Sequence, residues 1–439
     1  MLHAFLIIIF SCLFFFLAWK NAVLATALVV AFLPSYLIRF DLGPVPFTLL
    51  EIMVLLLFAA WTAKQKNNMP SAIKTLGSTR WLWLIAAWLV FATISLFISP
   101  DFRSASGIWK SYFIEPILFL LILTNVAKEK KDLELIFYAI GFSALYISAF
   151  AIYQKFTGFA IPNPIWQAEE TRRVTSFYGY PNAVGLYLAP VITLYAGWLI
   201  NKFSAPGGSA MAKPSGQVSN FKFQILFFQF SVIVTSAAAV IFARSEGAYA
   251  GILCGLFFLG IMTKRLRWPT VALASLLVIF IFAVPQFKNY VWQQISFQND
   301  SGKVRISQWQ ETWEMLKDRP LQGAGLAGYQ ETLAPYHKAK HIEIYLYPHN
   351  LFLNFWSELS LGGLIVFLLI VIKFFKDNIK NFLTSRYPLF ITLLAIMVTL
   401  LVHGLVDVPY FKNDLSVFFW LSIGLSLIAP KISSSQLPK

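Results

Sequence analysis

KNYVWQQISFQNDSGKVRISQWQETWEMLKDRPLQGAGLAGYQETLAPYHKAKHIEIYLYPHNLFLNFWSELSLGGL, Lys288 to Leu364, is polar over 288–349 and turns apolar after Pro348-His349-Asn350. Outside it the chain is apolar run or short connector, so this is the one place where sizeable extramembrane structure can form. The chain has 439 residues, 58% apolar and 13% charged, whereas soluble domains carry about a quarter charged residues. Apolar runs at 2–19, 22–38, 47–63, 81–98, 109–126, 134–154, 182–200, 223–243, 247–263, 269–286, 350–372, 388–406 and 414–430 are each long enough to cross about 30 Å of hydrocarbon. The reading is an all-α polytopic membrane protein of 12–13 transmembrane helices. The long loop, 288–349, lies on the extracytoplasmic side.

The N-terminus has no basic n-region or small-residue cleavage site, so Leu2–Trp19 reads as a retained anchor. Cys12 and Cys254 both fall within apolar runs, which leaves no disulfide framework or metal cluster to build. The net charge of +15 is a topology signal and not a sign of nucleic-acid binding. Twenty basic residues fall in Lys20, 64–80, 127–133, 201–222, 264–267, 373–387 and the tail, against eight in the opposite connectors. The positive-inside rule therefore places 288–349 outside and the C-terminus inside. Residues 1–160 read as scaffold helices, 161–372 as the catalytic core, and 373–439 as C-terminal spans with a cytoplasmic tail. The SAPGGSAMAKPSGQ tract in 201–222 has flexible-linker composition.

The outer connectors hold the chemistry-bearing residues. Arg172 and Arg173 precede Pro181-Asn182, and Arg173 lies nine residues before Asn182 in an aromatic, glycine-containing turn. Arg172 can equally snorkel to headgroups. Ala243-Arg244-Ser245-Glu246-Gly247 joins two apolar runs almost without a loop. Arg244 then either pairs with an acid such as Glu246 or serves an anion. In RISQWQETWEMLKD, Ile306, Trp309, Trp313 and Leu316 recur at helical spacing, with Gln308, Glu311, Thr312 and Lys317 on the other face. This predicts an interfacial helix with Arg305 at its start, suited to an anion or to packing, and stopped by Arg319-Pro320. Gly323 to Gly328 formally match G-x-G-x-x-G, but no strand-turn-helix unit surrounds them, so they read as a tight small-residue turn.

His349-Asn350 stands at the start of an apolar run that holds Glu358. An imidazole there, with an ordinary pKa of about 6.5, can accept a proton near neutral pH, or simply cap the helix. His403 and Asp407 are four apart and share a helix face, where they can orient, shuttle a proton or satisfy each other.

Assembled, these residues resemble the O-antigen ligase and O-antigen polymerase family of bacterial envelope glycosyltransferases. The likeness is carried by Arg173 with Pro181-Asn182, by Ala243-Arg244-Ser245, by Arg305 ahead of Trp309, by Asp318-Arg319-Pro320-Leu321-Gln322-Gly323-Ala324-Gly325, and by His349-Asn350 followed by Glu358 and Gly363. It spans about residues 165–365; Ser360 departs from it, standing where the family pattern has a glycine. The resemblance implies a GT-C type membrane fold in the bacterial cytoplasmic (inner) membrane with its site on the extracytoplasmic face. It implies glycan transfer from a polyprenyl diphosphate, typically undecaprenyl diphosphate, to an acceptor hydroxyl without nucleotide sugar, cofactor or metal. The products would be lipopolysaccharide or other cell-envelope polysaccharide. Arg173, Arg244 and Arg305 would hold the donor diphosphate and His349 would activate a glycolipid, glycan or protein acceptor, with Asn182, Asn350, His403 and Asp407 in support. The rival class is a transporter or flippase of lipid-linked glycan or anion. It wants inverted repeats and mid-bilayer breaks, and the sequence shows no such repeat.

Overall fold

Apolar runs become helices in a membrane because every backbone N–H must then find its carbonyl within the same segment. The computed structural model describes residues 2–42, 45–65, 69–204 and 216–434, and each of the thirteen apolar runs falls on a helix. The first part of the chain forms α1 (Leu2–Lys20), α2 (Ala22–Ala31), α3 (Leu49–Gln65), α4 (Met69–Lys74) and α5 (Thr79–Ile98). Next, α6 (Phe102–Ile108) runs through a π turn, Trp109–Ile114, into α7 (Glu115–Val126), followed by α8 (Lys130–Thr157) and the short α9 (Pro164–Gln167). The central helices are α10 (Pro181–Ser204), α11 (Gly216–Ala243), α12 (Glu246–Met262) and α13 (Arg267–Ala283). The polar stretch forms α14 (Pro285–Ile295), α15 (Asp300–Asp318) and α16 (Tyr329–Leu333), before α17 (Leu351–Ser385), α18 (Leu389–His403) and α19 (Asn413–Ser434). Residues 205–215, the centre of the linker tract, lie outside the described residues.

Among the described residues, seven helices are long and apolar enough to cross a membrane, or eight if α13 and the segment it meets at 102° count as one broken span. Four further apolar helices have only 10–17 residues. The positions of the expected 12–13 spans therefore agree with the helices, while the count of full-length crossings is smaller. An addition to the all-α reading is a two-stranded antiparallel hairpin, Arg39–Leu42 with Val45–Thr48. It feeds α3 through a capping box: Glu51 N donates to Thr48 Oγ1 (3.2 Å) and Thr48 N to Glu51 Oε2 (2.8 Å).

Without a hydrophobic force between helices in lipid, close packing needs small residues. Gly247, Gly251 and Gly255 repeat every fourth position on α12 and face α18. A Cβ at the first would come within 2.7 Å of His403, and at the second within 2.8 Å of the Thr399 carbonyl. Across the bundle, Trp88, Phe113, Phe355, Phe367, Tyr410 and Trp420 form a fully buried aromatic core, with Phe355 stacked on Phe367 at 4.1 Å.

The Gly323–Gly328 turn presses backbone onto two helices. Ala324 N and Gly325 N both donate to the Ser357 carbonyl (2.7 and 3.2 Å), and Leu326 N donates to Ser95 O (3.2 Å). Gly323 and Gly325 have φ of +65° and +79°, and a Cβ on Gly323 would lie 2.5 Å from Ser357 O. This turn sits beside a break in α17, where Ser360 takes φ 69°, ψ 172°. Only glycine visits that region freely, so Ser360 holds a backbone conformation that a glycine would adopt without strain.

In α15 the polar face turns inward. Gln308, Glu311 and Thr312 are buried with Met315 and Leu316, while Ile306 and Trp313 are exposed. The reason is partner supply: Thr312 Oγ1 bonds the Tyr329 hydroxyl (2.7 Å), and Glu311 Oε1 accepts from Lys338 N and Ala339 N (2.9 Å each). The helix also begins at Asp300 under an Asn299 cap, so Arg305 lies in its second turn and not at its start.

Candidate active site

The starts of α10, α12 and α17 and the ends of α11 and α18 meet at one end of the bundle. There α11 stops at Ala243, and Arg244 reverses the chain with φ +50° so that α12 can begin at Glu246. The carbonyls orphaned at this helix end need donors. Arg173 supplies them, with Nε to Ala243 O (3.0 Å) and Nη2 to Arg244 O (3.2 Å). The same Nη2 donates to Asn182 Oδ1 (3.1 Å), and Asn182 Nδ2 donates to Asp407 Oδ2 (3.1 Å). Burial pushes the Arg173 guanidinium down from its usual range, and it stays a cation because arginine starts above 12.

At the neighbouring helix start, Asn350 Oδ1 caps α17 by accepting from Phe352 N and Leu353 N (3.0 Å each). Its Nδ2 donates to Leu405 O (3.0 Å), and Leu351 N donates to Gly404 O (2.7 Å). These bonds stitch the turn after α18 onto the start of α17 and set Asp407 opposite His349. The distance from His349 Nδ1 to Asp407 Oδ1 is 3.6 Å, an ion-pair separation just too long for a hydrogen bond. Burial alone would raise the Asp407 carboxyl, but the facing His349 and His403 rings hold it below the usual carboxylate range. His349 itself has φ +47°, and its ring packs edge-on against Tyr345 and Tyr347, each at 5.2 Å. Arg305 Nε donates to Val406 O (3.1 Å), and Trp309 Nε1 to Pro348 O (2.8 Å), so α15 braces both sides of the pair.

Between these elements lies a cavity of about 440 Å³ whose lining includes Arg173, Asn182, Arg305 and His349, together with Asp300 and Ser301 at the start of α15. Asp407 stands behind His349, and Asn350 is occupied as a cap. Arg244 is exposed beside Arg173 and has no ion pair among the described residues, so of its two alternatives the pairing with an acid such as Glu246 is not formed. His403 ends α18 and is buried under Gly247, while Asp407 follows in the turn. The expectation that the two share a helix face therefore fails because the helix stops first. Tyr180, Tyr345 and Tyr347 complete the wall and were not singled out from sequence. A signal existed: Tyr178-Gly-Tyr180-Pro181-Asn182 and Tyr345-Leu-Tyr347-Pro348-His349-Asn350 are near repeats. Their second tyrosines meet, hydroxyl to hydroxyl, at 2.9 Å.

Such a cavity can hold an anion against guanidinium groups and present an imidazole to a hydroxyl. Fold and site thus define a polytopic integral membrane protein with a cationic, histidine-bearing cavity at one end of its bundle. Residues 231–371, about a third of the chain, match the family model described as O-antigen ligase. None of the curated proteins compared matches the chain. The matched segment contains Arg244, Arg305, His349 and Asn350, whereas Arg173, Asn182, His403 and Asp407 lie outside it. The family is one of enzymes with O-antigen ligase or polymerase-like activity.

Proposed function

We propose that this protein transfers a glycan from a polyprenyl diphosphate, undecaprenyl diphosphate in bacteria, to an acceptor hydroxyl on the outer face of the cytoplasmic membrane. The observation that carries this reading is the convergence of Arg173, Asn182, Arg305 and His349, from three separate parts of the chain, on one 440 Å³ cavity backed by Asp407. In the reaction the acceptor oxygen bonds to the anomeric carbon of the donor sugar. The carbon–oxygen bond to diphosphate breaks, and its electron pair leaves with the diphosphate. The acceptor proton passes to His349 Nε2, since Nδ1 is turned toward Asp407, and Asp407 favours the imidazolium that forms. Arg173 and Arg305, with Arg244 beside them, stabilise the charge that develops on the leaving group. Two or three arginines supply the cationic role, so the reaction as proposed uses no metal.

The test is transfer from a polyprenyl-diphosphate-linked oligosaccharide by protein reconstituted in lipid nanodiscs. His349→Ala and Arg305→Ala should each lower turnover by about 10²-fold or more, and EDTA should leave wild-type turnover unchanged. Full activity in both variants would sink the assignment.

A further inference from the structure

Beyond the Tyr180–Tyr347 hydroxyl pair lies a second and larger cavity, of about 770 Å³, which shares Tyr180, Leu346 and Tyr347 with the first. Its walls come from the hairpin and start of α3, from α6 with its π turn, and from the turn before α19. Two buried polar atoms among its lining residues lack hydrogen-bond partners, Lys412 Nζ and Asn413 Oδ1, in residues only 9% and 2% exposed. Lys412 is held 3.7 Å from Asp414 Oδ2 and 4.0 Å from the centre of the Tyr178 ring, neither of which is a hydrogen bond. A buried donor and acceptor left unmatched are costly unless a ligand meets them. The acids and bases around the cavity balance, with Glu51 bound to Lys110 at 3.1 Å. The site is therefore not built for a strong anion. Aromatic faces with a few convergent donors and acceptors, in a space within the roughly 300–1,000 Å³ that takes a small ligand, suit a hydroxyl-rich, uncharged ring.

We propose that this second cavity holds the terminal sugar of the acceptor, with Lys412 and Asn413 on its hydroxyls, and that the reacting hydroxyl reaches His349 past the Tyr180–Tyr347 wall. This rests on the transfer reaction proposed above and assigns its second substrate a place and a chemical class. The bond changes are those of that reaction, with the acceptor oxygen arriving from the Tyr347 side.

Gly107 and Gly179 line the cavity, and a Cβ on either meets nothing within 4 Å. Either position thus has open space for a Cβ, and tryptophan there is chosen to project into the cavity and fill it. The probe is a fluorescent, deacylated lipid A core oligosaccharide, titrated onto the full chain in nanodiscs without donor. Binding to wild type, with affinity lowered about tenfold or more in Lys412→Met, as for loss of a charged hydrogen bond, and abolished in Gly107→Trp and Gly179→Trp, supports the assignment. Equal binding to all four proteins, or none to wild type, overturns it. So does a serine peptide that binds in place of the oligosaccharide and is lost in the same variants. The donor's dissociation constant, measured separately, should stay within about twofold in the tryptophan variants, and a parallel loss of donor binding also overturns the two-cavity division. A wild type that binds the oligosaccharide in this Gly107-sensitive manner yet transfers nothing supports the sugar site while overturning the transfer reaction.

Discussion

Asp407 shows how much one residue depends on its neighbours. Its carboxylate faces His349 at 3.6 Å on one oxygen and accepts from Asn182 at 3.1 Å on the other. Asn182 in turn accepts from Arg173, so hydrogen bonds join Asp407 to Arg173 and a 3.6 Å charge contact completes the path to His349, the proposed base. Replacing Asp407 with Asn keeps the shape but removes the charge that favours the imidazolium. We expect kcat to fall by about 10²-fold with acceptor KM little changed, read by steady-state transfer kinetics; wild-type kcat would show that the pair is structural. From sequence, Asp407 was linked to His403 by its spacing of four. The distance rule failed because α18 ends at His403, and only the stitch between Gly404 and Leu351 turns Asp407 toward His349.

At the scale of an element, α17 carries its own test. Ser360 occupies φ 69°, ψ 172° at the break, a region open essentially to glycine alone and costing other residues about 1–3 kcal/mol. Ser360→Gly should therefore stabilise the protein, by about 1 kcal/mol after the flexibility of glycine is subtracted, seen as a rise in Tm in detergent; an unchanged or lower Tm would contradict the strain. Helix α15 offers a pH test. Burial pushes the Glu311 carboxyl up, but hydrogen bonds from His337, Ala339 N and Lys338 N outweigh it and leave the pKa lowered. A depressed carboxyl contributes stability that is present above its unfolded pKa, about 4.3, and is lost as pH falls through the folded value. Amide exchange protection at Lys338 and Ala339 should hold from neutral pH to about 5 and drop below about 4. In Glu311→Gln it should already be low at neutral pH, and equal protection in both proteins would refute the latch. The period of α15 was legible in sequence, but which face turned inward was not, because the partners of its polar face lie 17 to 28 residues away.

For the molecule as a whole, charge and cavity coincide. The ends of α10 and α17 that lead into Lys- and Arg-rich connectors are opposite to the ends beside the two cavities, as the positive-inside rule requires if the cavities face outward. With Cys12 and Cys254 replaced by Ala, Asp300→Cys should react with an impermeant maleimide in intact cells, and Lys380→Cys only after permeabilisation. The reverse pattern would place the proposed site inside. Deleting the protein should alter the surface polysaccharide ladder: loss of all attached chains marks a ligase, loss of long chains alone a polymerase, and an unchanged ladder removes envelope polysaccharide as the product.

The sequence by itself determined that this is a helical membrane protein and where its helices lie, and it pointed to Arg173, Arg305 and His349, which the fold brings to one cavity. Those properties follow from composition, period and charge count, which are local or additive. Tertiary structure decided the pairing of His349 with Asp407, the inward polar face of α15, the strained backbone at Ser360 and the Tyr180–Tyr347 wall between two cavities. Each of these depends on carbonyls and side chains brought together from distant segments, and a one-dimensional pattern does not carry that geometry.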